Sequence, residues 1–445
     1  MLSDSVAGKV TIAAVSTPTG RGGISVIRLS GPGSRTISLR LSHREKHWQP
    51  RYAHLARWYD EKDQLLDSGI VLFFPAPYSY TGEDVIELHG HGSPVLTQAM
   101  MNRLFDLGAK QAGPGEFTRR AVENGKMDLS QAEAVIATID AATLRAARQA
   151  QRHLVGELGR CIERLMDRLS HILAQLEACL DFPEEDIPPL LYKTLHADLQ
   201  RDLIQPLDVF LQTSIFGERL FHGVTVAILG APNVGKSSLL NLLTARERAI
   251  VSDVAGTTRD TLEVDFEVCG IPMRLIDTAG IQESSDAIEQ EGVRRSHRAA
   301  EEADVVIFVA DVSRPDTWRI TQKVDLKIMN KMDLDNRKVL PASFLPVCAL
   351  SGEGLSEIQH HLARNLEQLP AQEEGLLVTR ERHRQALSES RQHLLDGLAK
   401  LGREDELELV ALDWHQARSC LGRIVGIGDI EEILDRVFTE FCIGK

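Results

Sequence analysis

The chain has 445 residues, of which 43% are hydrophobic and 26% are charged, a composition typical of globular proteins with substantial cores. Its 50 basic and 64 acidic residues give a formal net charge of −14, which excludes a broad basic surface for nucleic acid and leaves only local or shared RNA contacts. The six cysteines form no CxxC pair, and no apolar signal or membrane-spanning stretch is present. We therefore expect a cytoplasmic protein without disulfides or a membrane segment.

The first segment, residues 1–125, mixes short β-rich runs with Gly and Pro punctuation. The runs cover residues 24–29, 69–74 and 84–88. This pattern predicts a compact α+β domain. His89 and His91 have metal-like spacing in this domain, but no third ligand is near them in sequence, so we expect a turn with hydrogen-bonded imidazoles instead.

The second segment, residues 126–216, is predicted to be helical. Ser130 and Glu133 match a capping box, and apolar residues recur at spacings of three and four from Leu154 to Leu180. This stripe predicts a bundle core in one extended helix or two shorter ones, followed by a helical run over residues 190–211. Residues 377–445 are helical again, so we expect residues 217–376 to be inserted into a helical domain.

The inserted segment alternates predicted strands and helices. The strands cover residues 224–229, 262–268, 273–276, 305–310 and 326–329, with a hairpin across residues 270–272. This order predicts an α/β fold with a mostly parallel sheet.

Residues 230–237 read GAPNVGKS and match the pattern G-x-x-x-x-G-K-[ST] between a predicted strand and a predicted helix. The amides of such a loop and the helix N-terminus bind phosphates. Lys236 reaches the outer phosphates, and the Ser237 hydroxyl ligates Mg²⁺. The loop predicts a nucleotide site formed by Asn233, Val234, Gly235, Lys236, Ser237 and Ser238.

A second motif, residues 330–333, reads NKMD and contains Asn330, Lys331 and Asp333. The Asp333 carboxylate can accept hydrogen bonds from N1–H and the exocyclic amine of guanine, a donor pair that adenine lacks, so GTP is predicted over ATP. Cys348, Ala349 and Leu350 take the place of the last base-contacting loop, where Ser-Ala-Lys is usual. Only a backbone contact from Ala349 is therefore expected there.

Two further segments are predicted to surround the metal and the γ-phosphate. Residues 277–280 read DTAG, where Asp277 can hold a metal-bound water and the Gly280 amide can sense the γ-phosphate, with Thr278 and Ala279 between them. The preceding polar loop supplies Thr258 to the Mg²⁺ shell, and its predicted nucleotide contacts are Ser252, Asp253, Val254, Ala255, Gly256, Thr257 and Thr258. Ile281 stands where small regulatory GTPases carry a water-orienting glutamine, so Gln282, a later acid or a partner must replace it.

Taken together, these motifs resemble the MnmE (TrmE) family of tRNA modification GTPases over essentially the whole chain. The resemblance rests on Asn233 in the loop, GTTRD at 256–260, CIGK at 442–445, and the N-terminal motifs TGRGGI at 19–24, YTGED at 80–84, GHG at 90–92, PGEFT at 114–118 and KMDLSQAEA at 126–134. It implies a homodimer joined through folate-binding N-terminal domains. It also implies a flavin-dependent partner, MnmG (GidA), in a heterotetramer or larger assembly.

The same resemblance implies a chemistry and assigns residues to it. The reaction adds an aminomethyl-type (carboxymethylaminomethyl) group to C5 of the wobble uridine of certain tRNAs, with a 5-formyl or methylene tetrahydrofolate as one-carbon donor and either ammonium or glycine as the source of the amine. The implied folate contacts are Arg28, Glu87, Lys126 and Lys445, and Cys442 is implied in the modification. The implied K⁺ ligands, in place of an arginine finger, are Asn233, Ser252, Val254 and Thr257. Glu289 is implied to orient the attacking water, with Lys236 as the other catalytic residue of the GTPase.

Two departures from the family pattern are visible. Ile281 and Gln282 replace the usual Leu-Arg, and residues 311–330 are short, which predicts a truncated helix and a strand interrupted by Asp325 and Lys327. We expect this truncation to weaken guanine binding.

Two other functions stay open. A ribosome-assembly or signalling GTPase is disfavoured by the N-terminal motifs and the CIGK terminus. A folate-dependent transferase with a vestigial GTPase is disfavoured by the complete nucleotide set Lys236, Ser237, Asp277, Asn330 and Asp333.

Overall fold

The computed structural model describes residues 10–181, 189–246, 264–275, 300–320, 322–334, 340–366, 375–403, 406–428, 431–439 and 441–444. The chain divides into two compact units. The first comprises Met1–Ile136, His153–Ile162 and Gly422–Lys445, and the second comprises Ala137–Arg152 and Glu163–Leu421. The four-segment division made from the sequence stays a prediction.

A six-stranded sheet, ordered β3-β4-β5-β2-β1-β6, forms the centre of the first unit. Its strands are β1 (Ile12–Val15), β2 (Gly22–Ser30), β3 (His54–Tyr59), β4 (Leu65–Phe74), β5 (Val85–Gly92) and β6 (Lys110–Gln111). All pairs are antiparallel except β1 with β6. The three predicted runs lie in β2, β4 and β5. Strands β1 and β6 are too short to show periodicity, and β3 exposes 81% of Leu55, which hides its alternation.

Helices cover one face of this sheet. These are α1 (Ser34–Leu41) and α2 (Pro94–Asp106), which pack on β5, and their buried side chains join those of the strands in one core. Two further helices, α3 (Glu116–Glu123) and α4 (Leu129–Asp140), follow in the chain. The α+β expectation for the N-terminal part is confirmed.

The cap of α4 differs from the predicted capping box. The Asp128 carboxylate accepts hydrogen bonds from the Gln131 amide at 2.8 Å and the Ser130 hydroxyl at 2.6 Å, and the Asp128 amide donates to Gln131 Oε1 at 3.0 Å. The reciprocal pair is therefore Asp128 with Gln131, and the prediction of Ser130 with Glu133 is wrong. Ser130 and Glu133 lie inside the helix and are buried, because the helix begins two residues earlier.

The predicted leucine stripe is confirmed as core. Helices α5 (Leu144–Leu154) and α6 (Glu157–Asp181) carry it, and Leu158, Leu169 and Leu176 are fully buried. Next come α7 (Pro189–Leu199), a π-helical turn at Gln200–Ile204 and α8 (Gln205–His222). The helical run was predicted to end at residue 211 but continues to His222, since Phe216 and Leu220 remain buried and the first left-handed residue is Gly223 at φ 77°.

A second six-stranded sheet, ordered β12-β11-β10-β7-β9-β8, lies in the second unit. Its strands are β7 (Val224–Leu229), β8 (Val264–Val268), β9 (Ile271–Leu275), β10 (Val305–Asp311), β11 (Leu326–Asn330) and β12 (Leu345–Pro346), and α9 (Lys236–Arg246) follows β7. Only β8 with β9 is antiparallel, so the mostly parallel α/β fold is confirmed. The hairpin turn falls at Cys269 and Gly270, earlier than predicted, because these two residues carry the positive φ angles that a tight hairpin needs.

The short connection between β10 and β11 contains a 3-10 helix, Pro315–Trp318, which confirms the predicted truncation. Asp325 does not interrupt the following strand as predicted. Its carboxylate accepts a hydrogen bond from the Val306 amide at 2.8 Å, and its own amide donates to Val306 O at 2.9 Å. Asp325 therefore fastens the start of β11 to β10, and Lys327 lies half-buried within that strand.

Among the described residues, a 3-10 helix spans Met332–Leu334, and further α-helices span Leu355–Leu366, Glu381–Lys400, Leu407–Val425 and Glu431–Thr439. The short segment Ala137–Arg152 contributes to the core of the second unit, where Ala146 is fully buried with Phe216 and Val226. Over the ranges that the structure describes, no helix is long and apolar enough to cross a membrane.

Candidate functional site

The loop between β7 and α9 has a backbone that only glycine permits at two positions. Gly230 has φ 151° and Gly235 has φ 97°. A Cβ on Gly230 would lie 2.3 Å from Val309 O, and one on Gly235 would lie 2.2 Å from Asn330 Nδ2. Both positions therefore require glycine for two reasons: their positive φ angles, and the close approach of Val309 and Asn330, which leaves no room for a Cβ.

Lys236 points back into this loop from the start of α9. Its Nζ donates hydrogen bonds to Gly230 O at 2.8 Å and Ala231 O at 3.0 Å. Burial lowers the pKa of the Lys236 ammonium. A glycine cradle, a helix N-terminus and an ammonium group at the mouth of the loop are the features that suit a polyphosphate. Ser237 is exposed in the first turn of α9.

Asn330 and Lys331 connect the loop to the end of β11. The Asn330 side chain donates to Val234 O at 2.9 Å and accepts from the Ala349 amide at 3.0 Å, and it is almost fully buried. Lys331, at φ 63°, donates from Nζ to Asn233 O at 2.8 Å. The structure thus brings together residues near positions 233, 330 and 349, as the nucleotide motifs predict.

Of the residues predicted in the last base-contacting loop, Cys348 contacts Asp333. The Cys348 thiol donates to Asp333 Oδ1 at 3.3 Å, so this cysteine orients the carboxylate from the position where serine is usual. The Ala349 amide donates to Asn330 Oδ1, because the buried Asn330 oxygen requires a donor, and the backbone contact of Ala349 with a base stays a prediction. Leu350 is 83% exposed at the end of this loop.

Several predicted site residues lie outside the described residues. They are Ser252, Asp253, Val254, Ala255, Gly256, Thr257, Thr258, Asp277, Thr278, Ala279, Gly280, Ile281, Gln282, Glu289 and Lys445. Of the predicted K⁺ ligands, the described part of the chain includes Asn233, whose side chain is exposed.

In the first unit, Arg28 and Glu87 face each other across β2 and β5. Arg28 donates from Nε and Nη2 to Glu87 Oε1 at 3.0 and 2.9 Å, and His89 Nε2 lies 3.2 Å from Glu87 Oε2. The Arg28 guanidinium also lies over the Tyr80 ring, 5.4 Å from its centroid. Arg28 and Glu87 therefore neutralise each other, and a ligand for either one must compete with this ion pair.

Lys126 lies beside the loop that contains Tyr80. Its side-chain carbons would lie 3.3 Å from a Cβ on Gly82, and Asn124 Nδ2 donates to Thr81 O at 2.6 Å. Arg28 and Lys126 are thus brought to the same 80–84 loop, as the prediction of a shared site requires. Sequence reasoning missed Tyr80 as an individual contact, although the YTGED motif that holds it was recognised.

The C-terminal tail docks against Pro114 and the end of strand β1. Ile443 forms an antiparallel bridge with Pro114, and the Ser16 hydroxyl donates to Gly444 O at 3.0 Å. Gly444 has φ 101°, and a Cβ there would lie 2.0 Å from Val15 O. Val15 pairs with Ile27 of β2, next to Arg28, so the tail that carries the exposed Cys442 lies one strand from Arg28.

An open cleft of about 690 Å³ lies beside the tail in the same unit. Its walls include Pro114, Arg119, Arg120, Asp435 and Phe438. Both arginines are paired, Arg119 with Asp435 at 2.7 Å, and Arg120 with Glu83 at 3.1 Å and Glu116 at 2.7 Å. The charges of this cleft are therefore satisfied within the protein.

The two histidines with metal-like spacing bind carboxylates. His89 pairs with Glu87, and His91 Nδ1 lies 2.6 Å from Asp67 Oδ1. The imidazoles are hydrogen-bonded as predicted, but they lie on strand β5 and not in a turn.

Similarity to known proteins covers both units. Residues 11–126 match the GTP-binding protein TrmE N-terminus, and residues 129–442 match the MnmE helical domain. A tRNA modification GTPase MnmE from Parvibaculum lavamentivorans is 44% identical over 98% of this chain and 100% of its own length, and one from Stutzerimonas stutzeri is 41% identical over 98% and 99%. The FeoB G domain from Methanococcus jannaschii is 22% identical over 33% of this chain and 98% of its own, but its TM-score of 0.25 is too low to support an argument. The chain belongs to the MnmE family of tRNA modification GTPases.

Proposed function

We propose that this GTPase couples GTP hydrolysis to the modification of C5 of the wobble uridine in tRNA, with a tetrahydrofolate derivative as the one-carbon donor. The observation that carries the proposal is the docking of the Cys442 tail one strand from Arg28, in a chain whose loop at residues 230–236 has the form of a phosphate cradle. A GTPase switch without modification chemistry offers no reason for the tail to dock there.

The nucleotide would be held by the amides of the loop, Lys236 and the base-facing carboxylate of Asp333. Ser237, together with Thr258, would hold Mg²⁺, which offsets negative charge on the phosphates. Asn233, with Ser252, Val254 and Thr257, would hold K⁺ beside the same phosphates. Glu289 would orient the attacking water, since Ile281 cannot do so.

In this proposal Lys236 acts by electrostatics. It is already placed at the mouth of the loop by two carbonyl oxygens, so it needs little reorganisation to meet developing charge on a phosphate. A bound polyphosphate would take the place of the two carbonyl partners and stabilise the charged form of Lys236, which burial disfavours.

At the N-terminal site, the ion pair between Arg28 and Glu87 would open when folate binds. The folate glutamate tail offers carboxylates to Arg28, Lys126 and Lys445, and the pterin offers N–H groups to Glu87. Because Arg28 already has a carboxylate partner in the free protein, binding exchanges one ion pair for others. Cys442 would act in the modification from the docked tail.

The net charge of −14 supports a shared tRNA surface. A chain with this acidic excess gains little from phosphate contacts, so the flavin-dependent partner would supply much of the tRNA binding. We propose a homodimer that joins this flavoprotein in a heterotetramer or larger assembly.

Reconstitution tests the proposal. The protein is combined with the flavin-dependent partner, tRNA, a tetrahydrofolate derivative, GTP, Mg²⁺ and K⁺, and nucleosides are analysed by mass spectrometry. We expect the modified uridine with the unaltered protein and with Cys179→Ser, a matched control on α6. We expect none with Lys236→Ala or Cys442→Ser, whereas only Lys236→Ala should lose GTP hydrolysis.

Two outcomes would reject parts of the proposal. K⁺-stimulated GTP hydrolysis without any modified uridine would favour the switch alternative. Modification that survives Lys236→Ala would make the GTPase dispensable and favour a folate-dependent transferase.

A further inference from the structure

Hydrogen bonds from its own side chains hold the short connection between β10 and β11 in shape. Thr317 Oγ1 donates to Arg314 O at 2.6 Å and accepts from the Asp311 amide at 3.1 Å, and Trp318 Nε1 donates to Asp311 O at 2.8 Å. The segment therefore forms a compact turn at the end of β10. Arg314 reaches the loop at residues 230–236 from this turn, and Asp311 pairs with Lys331.

Asp311 is 1% exposed and has partners at both carboxylate oxygens. Oδ1 accepts from the Ser313 amide at 2.9 Å and hydroxyl at 2.6 Å, and Oδ2 accepts from Lys331 Nζ at 2.8 Å. Burial raises the pKa of Asp311, but the hydrogen bonds from Lys331 and Ser313 outweigh it, so the pKa lies below its ordinary value. Asp311 is thus an ionised anchor for the Lys331 ammonium.

Two consecutive carbonyl groups of the loop receive donors from this region. Lys331 Nζ donates to Asn233 O at 2.8 Å, and Arg314 Nη1 donates to Pro232 O at 3.2 Å. In a trans peptide the carbonyl oxygen and the next amide hydrogen point in opposite directions. Donors that hold the oxygens of residues 232 and 233 therefore direct the amides of Asn233 and Val234 the opposite way.

We propose that Asp311 and Arg314 are positioning residues for the phosphate-binding loop. Asp311 acts through Lys331, and Arg314 acts directly. Together they hold two loop amides in the orientation that binds a nucleoside diphosphate, which lowers the entropy lost on binding. The inference rests on the proposed nucleotide function, and it predicts that GDP and GTP affinities fall equally when these contacts are removed.

The test measures GDP and GTP affinity in the full-length protein by titration calorimetry. We expect Arg314→Ala to weaken both about 3-fold, because its hydrogen bond to Pro232 O is long and exposed to solvent, and Asp311→Asn about 10-fold, because the Asp311 carboxylate that pairs with Lys331 is buried. The KM for GTP should rise in parallel while kcat changes less than about 2-fold, because the contacts act on binding. Arg314→Lys should recover part of the loss.

Arg319→Ala is the matched control, since Arg319 is an exposed arginine on the same segment. We expect its GDP affinity and melting temperature to equal those of the unaltered protein. If Arg314→Ala binds GDP as tightly as Arg319→Ala does, the inference is wrong. Asp311→Asn alters a buried group and can impair folding. Arg314 is exposed, so Arg314→Ala alone is sufficient to test the inference. An unaltered protein that binds no GDP would instead reject the nucleotide function.

Discussion

The phosphate-binding loop and the C-terminal tail each pass through a left-handed glycine that has no room for a Cβ, but their surroundings differ. Beside Gly235 the nearest atom is a side-chain amide, Asn330 Nδ2, whereas beside Gly444 it is a backbone oxygen, Val15 O. Side chains from distant strands hold the loop, and a backbone bridge to Pro114 and one hydroxyl hold the tail. The loop should therefore respond to side-chain substitutions, and the tail chiefly to changes of backbone shape.

The cationic groups of the two regions differ in the same way. Lys236 is held by carbonyl oxygens, which carry no net charge and are readily exchanged for phosphate. Arg28 is held by a carboxylate, so its charge is neutralised before any ligand arrives. Lys236 of the phosphate-binding loop can therefore bind an anion directly, whereas Arg28 must first release Glu87.

The largest expected effect is at the loop. Gly235→Ala places a Cβ 2.2 Å from Asn330 Nδ2 in a residue at φ 97°, so the loop must deform. We expect GDP and GTP affinity to fall more than about 100-fold, since steric conflict and strain act together. Titration calorimetry measures the loss. The control is Gly402→Ala, at φ 96° with open space around it, and an equal loss there would contradict this explanation.

Asn330→Ala should have the next largest effect. It leaves Val234 O and the Ala349 amide without the partner they have in the structure, at a cost of about 1–3 kcal/mol for a buried group. We expect GDP affinity to fall about 10- to 100-fold by the same measure. Unchanged affinity would mean that the loop holds its form without this side chain.

Gly444→Ala should release the tail and leave the loop intact. Its Cβ would lie 2.0 Å from Val15 O, so we expect hydrogen exchange at residues 442–444 to rise at least about 10-fold. GTP hydrolysis should stay within about 2-fold, since loss of the tail leaves the loop contacts in place. Gly428→Ala, at φ 109° in open space, is the matched control. A protected tail in Gly444→Ala would show that the docking tolerates a side chain.

The smallest effect concerns pH and the ion pair of Asp67 with His91 in the first unit. Burial raises the pKa of Asp67, but hydrogen bonds from His91 and Ser68 outweigh it, so the pKa lies below 3.8. A carboxyl group with a lowered pKa stabilises the fold above pH 3.8, and this contribution is lost as the pH falls through its folded pKa. We expect Asp67→Asn to reduce the unfolding free energy by about 1 kcal/mol at pH 6 and less at pH 3. Urea unfolding at both pH values measures it, and an equal loss at both would show that charge is not the cause.

Local patterns predicted much of the fold and the nucleotide site. The β7 run, the glycine-rich loop and α9 follow one another in the chain, so their spacing alone indicated a phosphate cradle. The same reasoning failed where two residue types compete for one role. Ser130 resembles a helix cap as closely as Asp128 does, and only the packing of α4 determines which residue starts the helix.

Sequence by itself determined the family, the order of strands and helices in the nucleotide fold, and the residues of the loop, because these depend on neighbours in the chain. Only the tertiary structure decided that Arg28 pairs with Glu87, that the tail lies on Val15 and Pro114, and that Arg314 reaches Pro232. The physical reason is that such contacts join residues tens to hundreds of positions apart, and they depend on strand register and close packing, which no local spacing specifies.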